Sequence, residues 1–211
     1  MHRAPWWPRR RNPIPSPPMS AAETLAKIIH DRRTVKAFTG APLAREKILT
    51  LLEATRWAPN HRLAEPWRFV VVSQDQYPKL AAFLKAEPSI AGFPDPEKGA
   101  AKLAKLLDRL PGAGAIIIAT WVRAADPGID FEDHAAAAAA VQNLLLAAEA
   151  DGLASYWSTT AALMHAKTLH WCGIDTAKEA CLGWIWLGTA GEHPPVPPRR
   201  PLTERVRFLA R

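Results

Sequence analysis

Trp57-Ala58-Pro59-Asn60-His61-Arg62-Leu63-Ala64-Glu65-Pro66-Trp67-Arg68-Phe69-Val70-Val71-Val72 is a polar, proline-bounded loop that runs straight into a β-rich segment. Its first twelve residues hold two tryptophans, one histidine and two arginines. Rigid aromatics at that density suit a loop that binds something flat or packs against a partner chain. Taken alone, the stretch also reads as an ordinary helix-to-strand loop whose tryptophans join the core, and core aromatics outnumber ligand aromatics.

On the N-terminal side the spacing predicts two helices. Ser20 caps the first, about residues 21–30, with Glu23 placed for a capping box and Leu25, Ile28 and Ile29 on one face. The second covers about 43–57 and stops at Pro59. On the C-terminal side a strand spans 67–73, a helix about 76–85, and a proline- and glycine-bearing loop 87–96. A basic amphipathic helix follows over about 97–110, its lysines read as a solvated face. Residues 115–122 form a buried strand, apolar almost throughout.

The longest predicted helix, about 131–151, holds six consecutive alanines, Ala135 to Ala140, then Val141-Gln142-Asn143-Leu144-Leu145-Leu146. A helix apolar all round is buried on all sides, in a core or a subunit interface. Gln142 and Asn143 then need internal partners. A strand at 153–157, a helix at about 162–171 and a last core strand at 182–187 complete the pattern. Helices and strands interleave as in one layered α/β domain.

The 48% hydrophobic content supports a sizeable core. Cys172 and Cys181 have neither metal spacing nor a disulfide framework and read as core thiols in a reducing, cytoplasmic compartment. The formal charge of +7 sits at the ends: residues 1–18 carry +4 and residues 192–211 carry +3, which leaves the body neutral. A nucleic-acid surface spreads Lys and Arg over a folded face, so nucleic acid and membrane are not the expected partners. Residues 1–18, with six prolines and four arginines, read as a disordered leader, and Met19 as a possible natural start. Residues 19–211 form the folded domain, with an extended, proline-rich arm at 192–211.

The sequence lacks G-x-S-x-G, a G-x-x-x-x-G-K phosphate loop, G-x-G-x-x-G and a metal-ligand cluster, so a cofactor is expected to carry any difficult chemistry. Three features suit one. Arg32-Arg33-Thr34 follows a helix, where paired guanidinium groups beside a hydroxyl match a phosphate dianion; a solvated helix end bearing C-terminal cations is the alternative. Trp157-Ser158-Thr159 ends a strand, where ligands lie in open α/β sheets, or is simply a strand leaving the core through a turn. Arg199-Arg200 lies in an arm that either docks or stays disordered.

Arg32-Arg33-Thr34-Val35-Lys36-Ala37-Phe38, Trp57-Ala58-Pro59-Asn60-His61-Arg62 and Glu65-Pro66-Trp67-Arg68-Phe69 together resemble the FMN-dependent nitroreductase superfamily. Ala140-Val141-Gln142-Asn143-Leu144-Leu145-Leu146-Ala147-Ala148, Gly152-Leu153, Trp157, Leu187-Gly188 and the arginine-rich arm extend the resemblance over about residues 20–208. It is nearest the small, minimal branch with a Pro-Asn/Asp-His loop.

The resemblance implies an α+β, three-layer α/β/α sandwich with a mixed central sheet in an intertwined homodimer. It implies FMN at the subunit interface, NADPH or NADH as hydride donor, and ping-pong transfer through flavin N5 to a nitroaromatic, quinone or similar flat acceptor. Carried over, Arg32, Arg33 and Thr34 hold the phosphate and ribityl chain, and Arg199 or Arg200 adds to the phosphate site. Trp57 and His61 reach the flavin of the other subunit, and Trp157, Ser158 and Thr159 line the ring. Thr34 stands where serine is commoner, which keeps the hydroxyl, and Trp57 stands where some relatives carry a basic residue. No protein side chain is named as catalytic acid or base. The competing readings are a non-catalytic FMN-binding or FMN-consuming relative, and a nucleic-acid or anionic-membrane binder acting through the basic ends.

Overall fold

The computed structural model describes residues 19–91 and 95–209. The leader 1–18 and the middle of the loop at 92–94 lie outside the described residues. Helix α1, Ala21–Asp31, starts at the predicted box: the Ser20 hydroxyl accepts from Glu23 N, and the Glu23 carboxylate accepts from Ser20 N at 2.8 Å. None of its residues is buried, so Leu25 and Ile29 present an apolar stripe that the other described residues do not cover. Helix α2, Arg45–Glu53, passes into a 3-10 turn, Ala54–Trp57.

Four strands form the sheet: β1 Trp67–Val72, β2 Ala115–Val122, β3 Ala154–Ser158 and β4 Glu179–Gly188. Their order is β1-β2-β4-β3, and each ladder is antiparallel. The parallel component of the predicted mixed sheet is a single bridge, Thr34 to Ser155. Because side chains alternate along a strand, the two faces collect different cores. Ile117, Ala119, Ile185 and Leu187 face helix α5, Pro127–Ala150. Ile116, Ile118, Trp184 and Trp186 face α3, Tyr77–Ala86, α4, Pro96–Arg109, and the short α6, Ala161–Met164, and α7, Ala166–Trp171. The result is the expected three-layer α/β/α sandwich.

Helix α5 begins four residues before the predicted start. Asp126 caps it, accepting from Gly128 N and Ile129 N, and Pro127 occupies the first turn, where its missing N–H costs nothing. Ala136, Ala137, Ala140 and Ala148 are buried against the sheet, and Asn143 Nδ2 donates to the Ala54 carbonyl at 3.2 Å. The expectation of burial on all sides does not hold within one chain. Phe131, Ala135 and Gln142 are exposed, in a stripe at helical spacing. The helix predicted at 162–171 is interrupted: His165 adopts an extended backbone, and its Nδ1 accepts from Lys167 N to cap α7.

A bulge in β4 opposite Ala119 and Thr120 places Gly183 at φ +148°. A Cβ there would lie 2.2 Å from Trp157 Nε1. Glycine is therefore required where the indole of Trp157 lies on the β4 backbone, with Nε1 donating to the Leu182 carbonyl at 3.0 Å.

Candidate functional site

The chain leaves α1 at Arg32 and runs extended beside β3, held by the Val35 N–H donating to the Ser155 carbonyl at 3.0 Å. Val35 is buried, whereas its neighbours Thr34 and Lys36 stay exposed at the sheet edge. Arg33 is half-buried. One of its terminal nitrogens donates to the Arg32 carbonyl at 2.7 Å, while its Nε is buried and has no hydrogen-bond acceptor among the described residues. A buried guanidinium N–H without an acceptor costs free energy, and an anion on this edge would remove that cost.

Further along β3 the alternation sends Tyr156 and Ser158 to the α4 face. There Tyr156, Ser158, Thr159 and Thr160 border a cleft of about 360 Å3, with Trp186 in its lining. Ser158 and Thr160 share a hydroxyl hydrogen bond of 2.9 Å. The Trp186 ring is buried, tilted 41° to the Tyr156 ring at 6.2 Å, and its Nε1 has no acceptor among the described residues. The opposite wall is one face of α4: Lys102, Lys105 and Arg109, spaced three and four residues apart, with Leu106 between them. Among the described residues that line the cleft there is no carboxylate. Lys36 joins the two parts of the site, its Nζ 5.3 Å from the Tyr156 ring centroid.

The predicted residues therefore fall into four places. Arg32, Arg33 and Thr34 lie along the β3 edge, next to Lys36, and Ser158 and Thr159 border the cleft. Trp157 points to the other face of β3, where its indole packs with the core beneath α5. Trp57 and His61 lie in the loop that packs on α5: Trp57 is 81% exposed, and His61 Nδ1 is 3.6 Å from Glu132. Asn60 clamps that loop, donating to the Ala58 carbonyl at 3.2 Å and accepting from Glu65 N at 3.0 Å. Arg62, Leu63 and Glu65 take positive φ within it, a conformation that costs about 1–2 kcal/mol per non-glycine residue. Arg199 and Arg200 are exposed on the arm, without an ion pair or hydrogen bond among the described residues.

Sequence reasoning missed Lys36, Tyr156, Trp186 and the α4 cations. The signal for the last was present: positions 102, 105 and 109 share a helix face. Lys102 and Lys105 are exposed, as the solvated reading expects, and the same face also walls the cleft.

The fold and this site define a family, and comparison with known proteins gives the same one. The chain belongs to the nitroreductase family, whose model matches residues 29–189. A Bacillus subtilis protein provisionally named NAD(P)H nitroreductase YfhC is 29% identical over 187 residues, covering 86% of this chain and 92% of its own. The crystal structure of a nitroreductase-like family protein from Bacillus cereus superposes with a TM-score of 0.78 at 25% identity, covering 91% of this chain and 99% of its own. A provisionally named nitroreductase from Desulfovibrio desulfuricans, solved in complex with FMN, gives 0.68 at 27% identity over 88% and 96%.

Proposed function

We propose that the protein is an FMN-dependent NAD(P)H oxidoreductase that passes two electrons to a flat acceptor. The observation that carries this is the junction of an anion-seeking edge with an aromatic-lined cleft: Arg33 Nε lacks an acceptor beside Thr34 and Lys36, and the Tyr156–Trp186 cleft opens next to them. A cleft of about 300–1,000 Å3 is the usual size for a cofactor or small ligand. FMN fits both parts, with its phosphate toward Arg32, Arg33 and Thr34 and its ring toward Ser158 and Thr159. When bound, FMN supplies hydride chemistry at N5, accepting from NADPH or NADH and delivering to a nitroaromatic, quinone or similar molecule. The chain's own part is to bind, orient and polarise. The α4 ammonium groups would put positive charge beside a flavin ring held in the cleft, and nearby cations favour negative charge on such a ring. No side chain is assigned proton transfer.

The functional unit we propose is a two-fold homodimer. Supporting it are apolar surfaces that the described residues leave open: Leu25 and Ile29 on α1, Phe131 on α5, Trp57 and Leu63 in the loop, and Phe208, 93% exposed, on the arm. In that dimer Trp57 and His61 reach the partner's flavin, and the arm carries Arg199 or Arg200 to a phosphate.

The test is anaerobic spectroscopy on desalted protein. Yellow protein that bleaches with NADPH or NADH and recovers its colour on adding a quinone is the expected result. Colourless protein that takes up no added FMN would contradict the proposal. Protein that binds FMN but is not reduced would be the non-catalytic relative.

A further inference from the structure

The cleft is more basic than a flavin needs. A reduced flavin ring brings one negative charge, and its phosphate has its own cations on the β3 edge. The α4 wall alone presents three cations, Lys36 stands at the rim, and among the described residues no carboxylate lines the cavity. Arg109 is the distinctive one. It is half-buried in the cleft lining and, among the described residues, has neither an ion pair nor a hydrogen bond. Some basic groups elsewhere are paired, Lys98 with Asp95, Lys167 with Glu87, Arg123 with Asp130, and others without a pair, such as Arg45, Arg199 and Arg200, are exposed to solvent. A partly desolvated guanidinium without an acceptor favours an anionic oxygen ligand, and its planar fork matches a carboxylate or phosphate in bidentate fashion. Arg109 also stands one helical turn beyond Lys105, above an apolar floor made by Trp186 and Leu106.

We infer that the molecule exchanging electrons in this cleft carries an anionic oxygen group, a carboxylate or phosphate, beside its flat ring, and that Arg109 with Lys105 selects for it. This rests on the flavin reading of the cleft. The neutral nitroaromatics and quinones are then the poorer class of partner. Two sources of the anion share this chemistry: an acidic acceptor, and the 2′-phosphate of NADPH.

The experiment is equilibrium binding to the oxidised, FMN-loaded protein without a hydride donor, so that nothing turns over. Flavin absorbance reports titration with 4-nitrobenzoate against 4-nitrobenzyl alcohol, and, in a second arm, adenosine 2′,5′-bisphosphate against 5′-AMP. Each wild-type ratio is compared with Arg109→Gln, with Lys105→Gln, and with Lys98→Gln as a control on the same helix outside the cleft. Expected is a preference of at least about tenfold for the more anionic member in one arm, the size of one charge-assisted contact. That preference should collapse in Arg109→Gln, fall in Lys105→Gln and survive in Lys98→Gln, each ratio read on protein saturated with FMN. A preference in the first arm assigns the anion to the acceptor, and in the second to the donor. Equal binding within both pairs, or a preference that Arg109→Gln and Lys105→Gln both leave intact, overturns the inference. Because Lys105 is exposed, its variant decides the matter if Arg109→Gln fails to fold. If the wild type holds no FMN, the flavin reading fails separately, and the same titrations followed by tryptophan fluorescence of the flavin-free protein still decide whether the cleft selects anions.

Discussion

At the scale of single residues, Arg33 separates a phosphate site from a solvated helix end. Sequence alone leaves both open, because charged pairs past a helix are common. The structure adds a buried Nε without an acceptor, which a solvated end would not have. Replacing Arg32 and Arg33 together with alanine should weaken FMN binding by about two to four orders of magnitude, since each charge-assisted contact contributes about 1.5–3 kcal/mol. Fluorescence titration measures this, and unchanged affinity would return the pair to the helix-end reading. Gly183 is a second such residue. A methyl group there meets the Trp157 indole at 2.2 Å on a backbone of positive φ, so Gly183→Ala should destabilise the chain by about 1–3 kcal/mol in thermal or urea unfolding. An unchanged melting curve would mean the bulge relaxes freely. The face of Trp157 was not legible in the sequence, because a strand's alternation is fixed only once its bulged partner is known.

At the scale of elements, legibility followed the strength of the period. Strand β2 was read to the residue, since an apolar run rich in β-branched residues, ended by Gly114 on one side, suits a buried strand. Helix α5 was read late because Asp126-Pro127-Gly128 resembles a turn as much as a capped first turn. The helix at 162–171 was read unbroken because its apolar spacing is continuous across His165, whose extended backbone appears only in the structure. For α4 the spacing was correct, but what faces a helix is a tertiary fact. The start of α5 also bears on pH. Asp130 ties the helix to the end of β2, and its carboxyl is held below the usual aspartate range, chiefly by the hydrogen bond from Arg123 and then by those from Ala124 N and Trp121. A depressed folded-state value means the contribution is present above the ordinary aspartate pKa and lost as pH falls through the depressed one. Asp130→Asn should therefore lower stability above the ordinary aspartate pKa and flatten the acid limb of the stability curve, the two proteins converging at low pH. An acid limb identical to wild type would remove this ion pair from the account.

At the scale of the molecule, the described residues leave several apolar surfaces, and Phe208 on the arm, exposed. The outer edge of β1 is unpaired in the sheet, and Val71 and Leu49 beside it are exposed. An extended arm carrying Val206 and Phe208 two residues apart has the period to lie on such an edge in a second copy. The exposed α5 stripe gives a matching test. Phe131→Glu should leave the helix content of the chain unaltered while shifting it from dimer to monomer in size-exclusion chromatography, with loss of FMN. A dimer that persists with full FMN would place the interface elsewhere. Neither feature was readable from periodicity, which shows that a face is apolar but not which chain covers it.

The central claim, a flavin held in a site that two chains complete, is tested most directly by sedimentation velocity recorded at both protein and flavin wavelengths. The expected result is one boundary at twice the 23.2 kDa chain mass, with the flavin signal moving in it at about one FMN per chain. Flavin that stays behind as free cofactor, or that travels with a stable 23.2 kDa monomer, would contradict it.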